Sequence, residues 1–212
     1  MSTEGTLGVR SPSTTKLIAV LNPIQMQSRA ISLKCSSQAK SWPLGHGSFS
    51  ISGNMGPLVP YVADAKSNGF DDVLWLLDDY IKECTVLNVF VLQQSRFGWM
   101  ELLTPPDDTC IMNGITRRTI LDMKEQIEKT YDLKVVEREI SIKEVINSSK
   151  EGRLFEVFGG STHCHLMPFS RIVYQDTTVQ LKGGKMCERL SKQINSVMRG
   201  NPAGNNWITP FE

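Results

Sequence analysis

The chain has no apolar run near the roughly 20 residues that a membrane-crossing helix needs, so no membrane span is expected. It has no excess of charge of either sign: 23 Lys and Arg stand against 22 Asp and Glu, a formal net charge of +1. A broad basic face of the kind that grips nucleic-acid phosphates is therefore missing, and no nucleic-acid partner is expected. The opening residues lack the basic start and apolar centre of a secretory leader, and Glu4 weakens a mitochondrial targeting reading. Histidine is scarce, at three residues, and the five cysteines (Cys35, Cys84, Cys110, Cys164, Cys187) form no CxxC pair. Cys164 lies between His163 and His165, but neighbours along a strand point to opposite faces, so no metal site is expected. An odd, scattered set of thiols suits a reducing intracellular compartment, cytoplasmic or mitochondrial. There is no internal repeat and no low-complexity segment.

What is present fits an ordinary globular chain, 40% hydrophobic and 21% charged. Its 212 residues suffice for one domain with a sizeable core, or for two small ones. Residues 1–14 read as a loose polar segment apart from Leu7 and Val9. Lys16–Leu21 (KLIAVL) reads as a buried strand stopped by Asn22-Pro23, and Ala30–Cys35 as a second, weakly alternating one. Asn54–Asn68 reads as a helix with Leu58, Val62 and Ala65 on one face; Pro57 fits its first turn and Pro60 moves its start later. Asp72–Leu77 is a strand, Asp78-Asp79 a turn, Tyr80–Gln93 one or two strands, and Arg96-Phe97-Gly98 a hairpin. Leu133–Glu139 follows as a strand and Ser141–Ser148 as a short helix, with Ser141 as N-cap and Glu144 at the capping-box position. Ser170–Tyr174 and Thr177–Leu181 form a hairpin around Gln175-Asp176. The final helix, Met186–Arg199, turns Cys187, Leu190, Ile194 and Val197 inward and ends at Gly200. Strands and helices mixed in this order give an α+β (mixed α/β) fold.

The stretch around which the chain is organised is LTPPDDTCIMNGITRRTIL, Leu103 to Leu121. Pro105 and Pro106 end the strand Met100–Leu103. After a polar turn, Gly114-Ile115-Thr116 opens a helix with Ile120, Met123, Ile127 and Tyr131 at helical spacing. The first N–H groups of a helix lack partners within it and carry partial positive charge. With a glycine before them they form either a phosphate cradle or an ordinary helix start with Thr116 as N-cap.

The wording of this stretch resembles ATPPLDGxILPGVTRRxIL of the branched-chain amino acid aminotransferases, pyridoxal-phosphate enzymes of fold type IV. Further motifs follow the same order. TEGTLGVRSPSTTKLIAVLNPI is similar to TEPSLGVRRPxKALLFVLLxPV. GFDDVLWL…IKECTVLNVFV is similar to GCxQVLWL…ITEVGTMNLFL, RLFEVFGGSTHCHLM to RVREMFGSGTACVVC, and the tail GNNWITPFE to SDWTIxL. The resemblance implies that residues 15–212 are the family's large C-terminal domain, with mostly antiparallel strands and flanking helices. By the same resemblance, the smaller N-terminal domain would be absent, and with it an arginine for the cofactor phosphate and aromatic residues over the substrate.

By resemblance, pyridoxal 5′-phosphate would rest its phosphate on the backbone at Ile115 and Thr116 and on Thr162, and its ring nitrogen on Glu83. Taken alone, Glu83 reads as an exposed strand carboxylate. His163 replaces an alanine whose backbone N–H binds the substrate carboxylate; its imidazole either fills that space or is a partly exposed, hydrogen-bonded histidine. The decisive segment is GSFSISGNMG, Gly47 to Gly56, against the family's GDxKxGGNYG. Ser50 stands where the lysine forms the Schiff base with the cofactor, and Met55 where a tyrosine supports its ring hydroxyl.

A serine hydroxyl cannot form an imine and is a poor base near neutral pH. Lys34, Lys40, Lys66 and Lys82 lie elsewhere in the matched order, and only a side chain reaching in from another element restores an amine. Met167 replaces the second cysteine of the CxxC found in animal members, so Cys164 has no redox partner. The resemblance therefore implies a family member without its chemistry: no catalytic residue and no covalently held cofactor. It would be a structural or regulatory subunit, as a homodimer, a heterodimer with a full-length relative, or part of a larger assembly. The alternative is an active pyridoxal-phosphate transaminase of branched-chain amino acids.

Overall fold

The computed structural model describes residues 13–23 and 29–200. Among the described residues nine strands form one sheet: β1 (Ile31–Ser36), β2 (Asp72–Leu77), β3 (Tyr80–Cys84), β4 (Asn88–Gln94), β5 (Met100–Thr104), β6 (Lys134–Glu137), β7 (Leu154–Ser161), β8 (His165–Tyr174) and β9 (Thr177–Gln180). Their order is β3-β2-β1-β8-β7-β4-β5-β6, with β9 beside β8. A further pairing, Glu83 against Asn88, joins β3 to β4 and closes six strands into a ring. Six of the nine pairings are antiparallel; β1–β2, β1–β8 and β5–β6 are parallel.

Alternation along β4 explains its unbroken apolar run. Val89 and Val91 enter one buried cluster with Leu33, Leu74, Leu76, Val157 and Phe169. Phe90 and Leu92 point the other way, into a cluster with Phe158, Ile120, Ile127, Leu190 and Ile194. A strand buried on both faces has no polar side to show. Phe90 and Phe158 stack with ring centroids 5.3 Å apart.

Among the described residues six α-helices flank the sheet: α1 (Ser52–Met55), α2 (Val59–Ser67), α3 (Ile115–Asp122), α4 (Lys124–Tyr131), α5 (Ile142–Lys150) and α6 (Lys185–Met198). In α6, Cys187, Leu190, Ile194 and Val197 are buried as their spacing predicts. Ser141 caps α5, its hydroxyl accepting from the Lys143 N–H at 3.2 Å. Glu144 departs from the capping-box role, because its carboxylate takes hydrogen bonds from Gln93 and Arg138 instead.

Several expectations need correction. Lys16–Leu21 is not a strand, and Leu17 and Leu21 are fully exposed. Apolar residues suit a strand only where a neighbouring edge and a core receive them, and this run pairs with no edge among the described residues. The helix expected over Asn54–Asn68 is broken into α1, a 3₁₀ turn (Gly56–Leu58) and α2, since Pro57 and Pro60 each fit only the first turn of a new helix. The helix after Gly114 likewise stops at Met123 and restarts as α4. Thr162, His163 and Cys164 form the turn between β7 and β8 rather than part of a strand. The proposed loose start up to residue 12 and the tail from residue 201 lie outside the described residues.

Candidate functional site

The site begins at the amino end of α3. Gly114 is the N-cap, with φ −67° and ψ 142°, and no side chain caps the helix; Thr116 is inside it, not its cap. A Cβ on Gly114 would collide with Asn88 Oδ1, so the backbone here comes closer to the sheet than any side chain permits. Asn88 Nδ2 donates to Met112 O at 2.7 Å, and Asn113 Nδ2 to Asp107 Oδ2 at 2.7 Å. From within α3, Arg117 (2% exposed) donates to Pro105 O at 2.7 Å and to Glu137 Oε1 at 2.6 Å. The two-proline turn is thereby locked onto the helix it precedes, and the first-turn N–H groups, with no side-chain cap, leave partial positive charge at this end.

Ser50, Glu83, Ile115, Thr162 and His163 line a single cleft of about 290 Å³, joined by Met55, Asn88 and Gly114. Thr116 lies behind this cleft, lining with Ile115 and Thr162 an adjoining apolar pocket of about 200 Å³. Residues from separate stretches of chain thus converge on one place. A larger cavity of about 530 Å³ beside the β4–β5 hairpin contains none of them; there Arg138 is paired with Glu144 and Glu101, and Arg153 with Glu151.

Glu83 is not the exposed strand carboxylate of the simpler reading: it is 1% exposed. Its Oε2 accepts from the Met112 N–H at 3.1 Å, and its Oε1 from Lys40 Nζ at 2.9 Å. Burial pushes the Glu83 carboxyl up, against the pull of the Lys40 charge and these hydrogen bonds. Lys40 also donates to Thr85 O at 2.9 Å and approaches Cys84 O at 3.5 Å. It comes from the loop between β1 and α1; the sequence named it only among the lysines lying elsewhere in the matched order, and its pairing with Glu83 was not foreseen. Nothing in SSQAKSW marks it, since the pairing depends on how that loop folds across the end of β3.

His163 is exposed in the β7–β8 turn, and its backbone N–H donates to Ser161 Oγ at 3.2 Å. The N–H that the resemblance leaves for a substrate carboxylate is therefore already engaged. Asn54 Nδ2 donates to His46 O at 2.7 Å and Phe49 O at 2.9 Å, holding the loop that carries Ser50. The cysteines are free thiols. Burial pushes Cys35 up to about 12 and is the main cause that raises Cys187 to about 12, which makes both poor nucleophiles. No group of three metal-binding side chains occurs among the described residues.

Tested against pyridoxal phosphate, the two ends of the cleft give different answers. The uncapped start of α3 suits a phosphate. At the opposite side Ser50 offers a hydroxyl where the resemblance calls for an amine. The nearby amine, Lys40, is committed to Glu83, which by resemblance faces the ring nitrogen; that nitrogen lies across the ring from the aldehyde. The residues present do not fit a covalently held cofactor.

Residues 3–172 match the amino-transferase class IV family. The mitochondrial branched-chain-amino-acid aminotransferase of Bos taurus is 32% identical over 98% of this chain and 55% of its own length. That of Schizosaccharomyces pombe is 31% identical over 99% of this chain and 52% of its own. The chain thus spans about half the length of these curated relatives. Among solved structures, the branched-chain aminotransferase of Thermobaculum terrenum in its PLP form superposes with a TM-score of 0.69 at 21% identity, covering 87% of this chain and 56% of that one. The enzyme of Thermoproteus uzoniensis with norvaline gives 0.68 at 19%, covering 87% and 57%. The fold is that of the type IV aminotransferases, and the chain belongs to the class IV aminotransferase family.

Proposed function

We propose that this chain is a branched-chain aminotransferase relative that has lost its chemistry and serves as a structural or regulatory subunit. It would pair with itself, with a full-length relative, or within a larger assembly. The observation that carries this reading is Ser50, which lines the cleft and by resemblance replaces the reactive lysine. A group that is both nucleophile and proton carrier typically accounts for several orders of magnitude in rate. The kept groups (Glu83, Ile115, Thr116, Thr162) support non-covalent binding of pyridoxal phosphate at most.

The second reading, an active transaminase of branched-chain amino acids, draws on Lys40, a buried amine beside Glu83. It requires that amine to abandon its carboxylate and travel to the far edge of a bound ring. The two readings separate by absorbance, borohydride treatment and assay. A visible band fixed to the protein by borohydride, or leucine transamination above a blank, would overturn the first. Purification of the native protein with its companions tests the subunit role: a stable protein partner or a self-assembled dimer is expected, and a monomer without companions contradicts it.

A further inference from the structure

The floor of the cleft is neutralised from within. Glu83 has both oxygens engaged, one by the Lys40 ammonium and one by the Met112 N–H. Lys40 places its donors on Glu83, Thr85 O and Cys84 O, which uses the three that an ammonium has. Its side chain is 5% exposed and that of Glu83 2%, so water screens the pair little and neither partner leaves without a large penalty. Asp72, the other carboxyl in the field of Lys40, is pushed towards its neutral form by burial. Lys82, next along β3, is paired with Asp108 and Glu139. The rim at the start of α3 is electropositive and uncapped.

A cleft with such a rim and floor sorts ligands by the charge at their two ends. An anionic head finds unpaired backbone N–H groups. A cationic far end would press against a carboxylate that already has an ammonium on it, and the two positive charges would repel at low effective dielectric. We propose that Lys40 determines the ligand specificity of this cleft: it stands in for a ligand's positive charge at Glu83, so that phosphate monoesters of uncharged rings are accepted and those of protonatable nitrogen rings are disfavoured. The inference deepens the non-catalytic reading and rests on it, since it takes a ligand to be held without a covalent bond.

Titration calorimetry on the whole chain tests it with two probes, pyridoxamine 5′-phosphate and its benzene-ring analogue, in which a C–H replaces the ring nitrogen. Neither has an aldehyde, so both report binding without capture. The analogue is expected to bind at least tenfold more tightly. In K40M that order reverses, while K40R retains it. Equal or tighter binding of the nitrogen ring to the unaltered chain overturns the proposal, as does binding of both probes no tighter than inorganic phosphate. If K40M does not fold, the comparison on the unaltered chain decides alone. A failure here without borohydride trapping removes only the role of Lys40, whereas trapping removes the non-catalytic reading itself.

Discussion

At the α3 end of the cleft each turn is tied to the sheet behind it; at the α1 end the chain rests on a four-residue helix with no side-chain cap and no buried residue. Asn88 and Gly114 line the cleft and pack on each other, and from within α3 Arg117 ties the Pro105 turn to Glu137 of β6. Met55 is partly buried against the small cluster of Leu58, Ala65, Val73 and Trp75, but Ser50 lines the cleft without entering any buried cluster, and its neighbours Phe49 and Ile51 are exposed. The difference teaches which parts of such a site stability alone preserves. A side chain that also holds the fold is costly to lose, whereas one that only meets a ligand is not.

Substitutions that separate packing from contact can break this comparison. The largest effect is expected from Phe158→Ala, which empties a fully buried site stacked on Phe90 and should cost about 3–5 kcal/mol in urea unfolding. Arg117→Met should cost about 2 kcal/mol, because Pro105 O loses its donor and Glu137 its buried partner. Ser50→Ala, at the other end of the same cleft, should stay within about 0.5 kcal/mol of the unaltered chain. Equal losses at Arg117 and Ser50 would end the distinction between the two ends.

A polar cluster remote from both ends supplies a reference with a pH signature. Burial works to raise the Glu144 carboxyl, but hydrogen bonds from Arg138 and Gln93 outweigh it and hold the group below its usual 4.5. A lowered folded value means stability that is present above about 4.5 and lost as pH falls below it. Glu144→Gln should therefore cost about 1 kcal/mol at neutral pH, and the gap to the unaltered chain should narrow in acid. A gap that is constant with pH would show that packing, not charge, carries the contribution of Glu144.

Much of this molecule was legible because periodicity reports on faces. The spacing of Ile120, Met123 and Ile127, the inward positions of the last helix and the unbroken apolar run of β4 all lead to buried positions. Lys16–Leu21 misled because propensity describes a surface that fits a sheet, not the presence of an edge to receive it. The breaks at Met55 and Met123 were hidden, because helical spacing persists across an interruption of a residue or two. At the site, family motifs named residues that line one cleft, while Lys40 was named only as a lysine lying elsewhere and its pairing with Glu83 was hidden. A long, flexible side chain crossing from a loop to another strand leaves no periodic trace, and only the folded positions of the loop and Glu83 show the pair.

The central claim is that no amine of this chain serves the reactive end of the cleft. Incubation with pyridoxal phosphate, borohydride reduction and peptide mapping address it most directly, with S50K as the positive control that places a lysine at that end. The prediction is that residue 50 of S50K carries the reduced cofactor, whereas in the unaltered chain Lys40 and its cleft neighbours do not. Stoichiometric modification of Lys40, removed by K40M, would contradict the account.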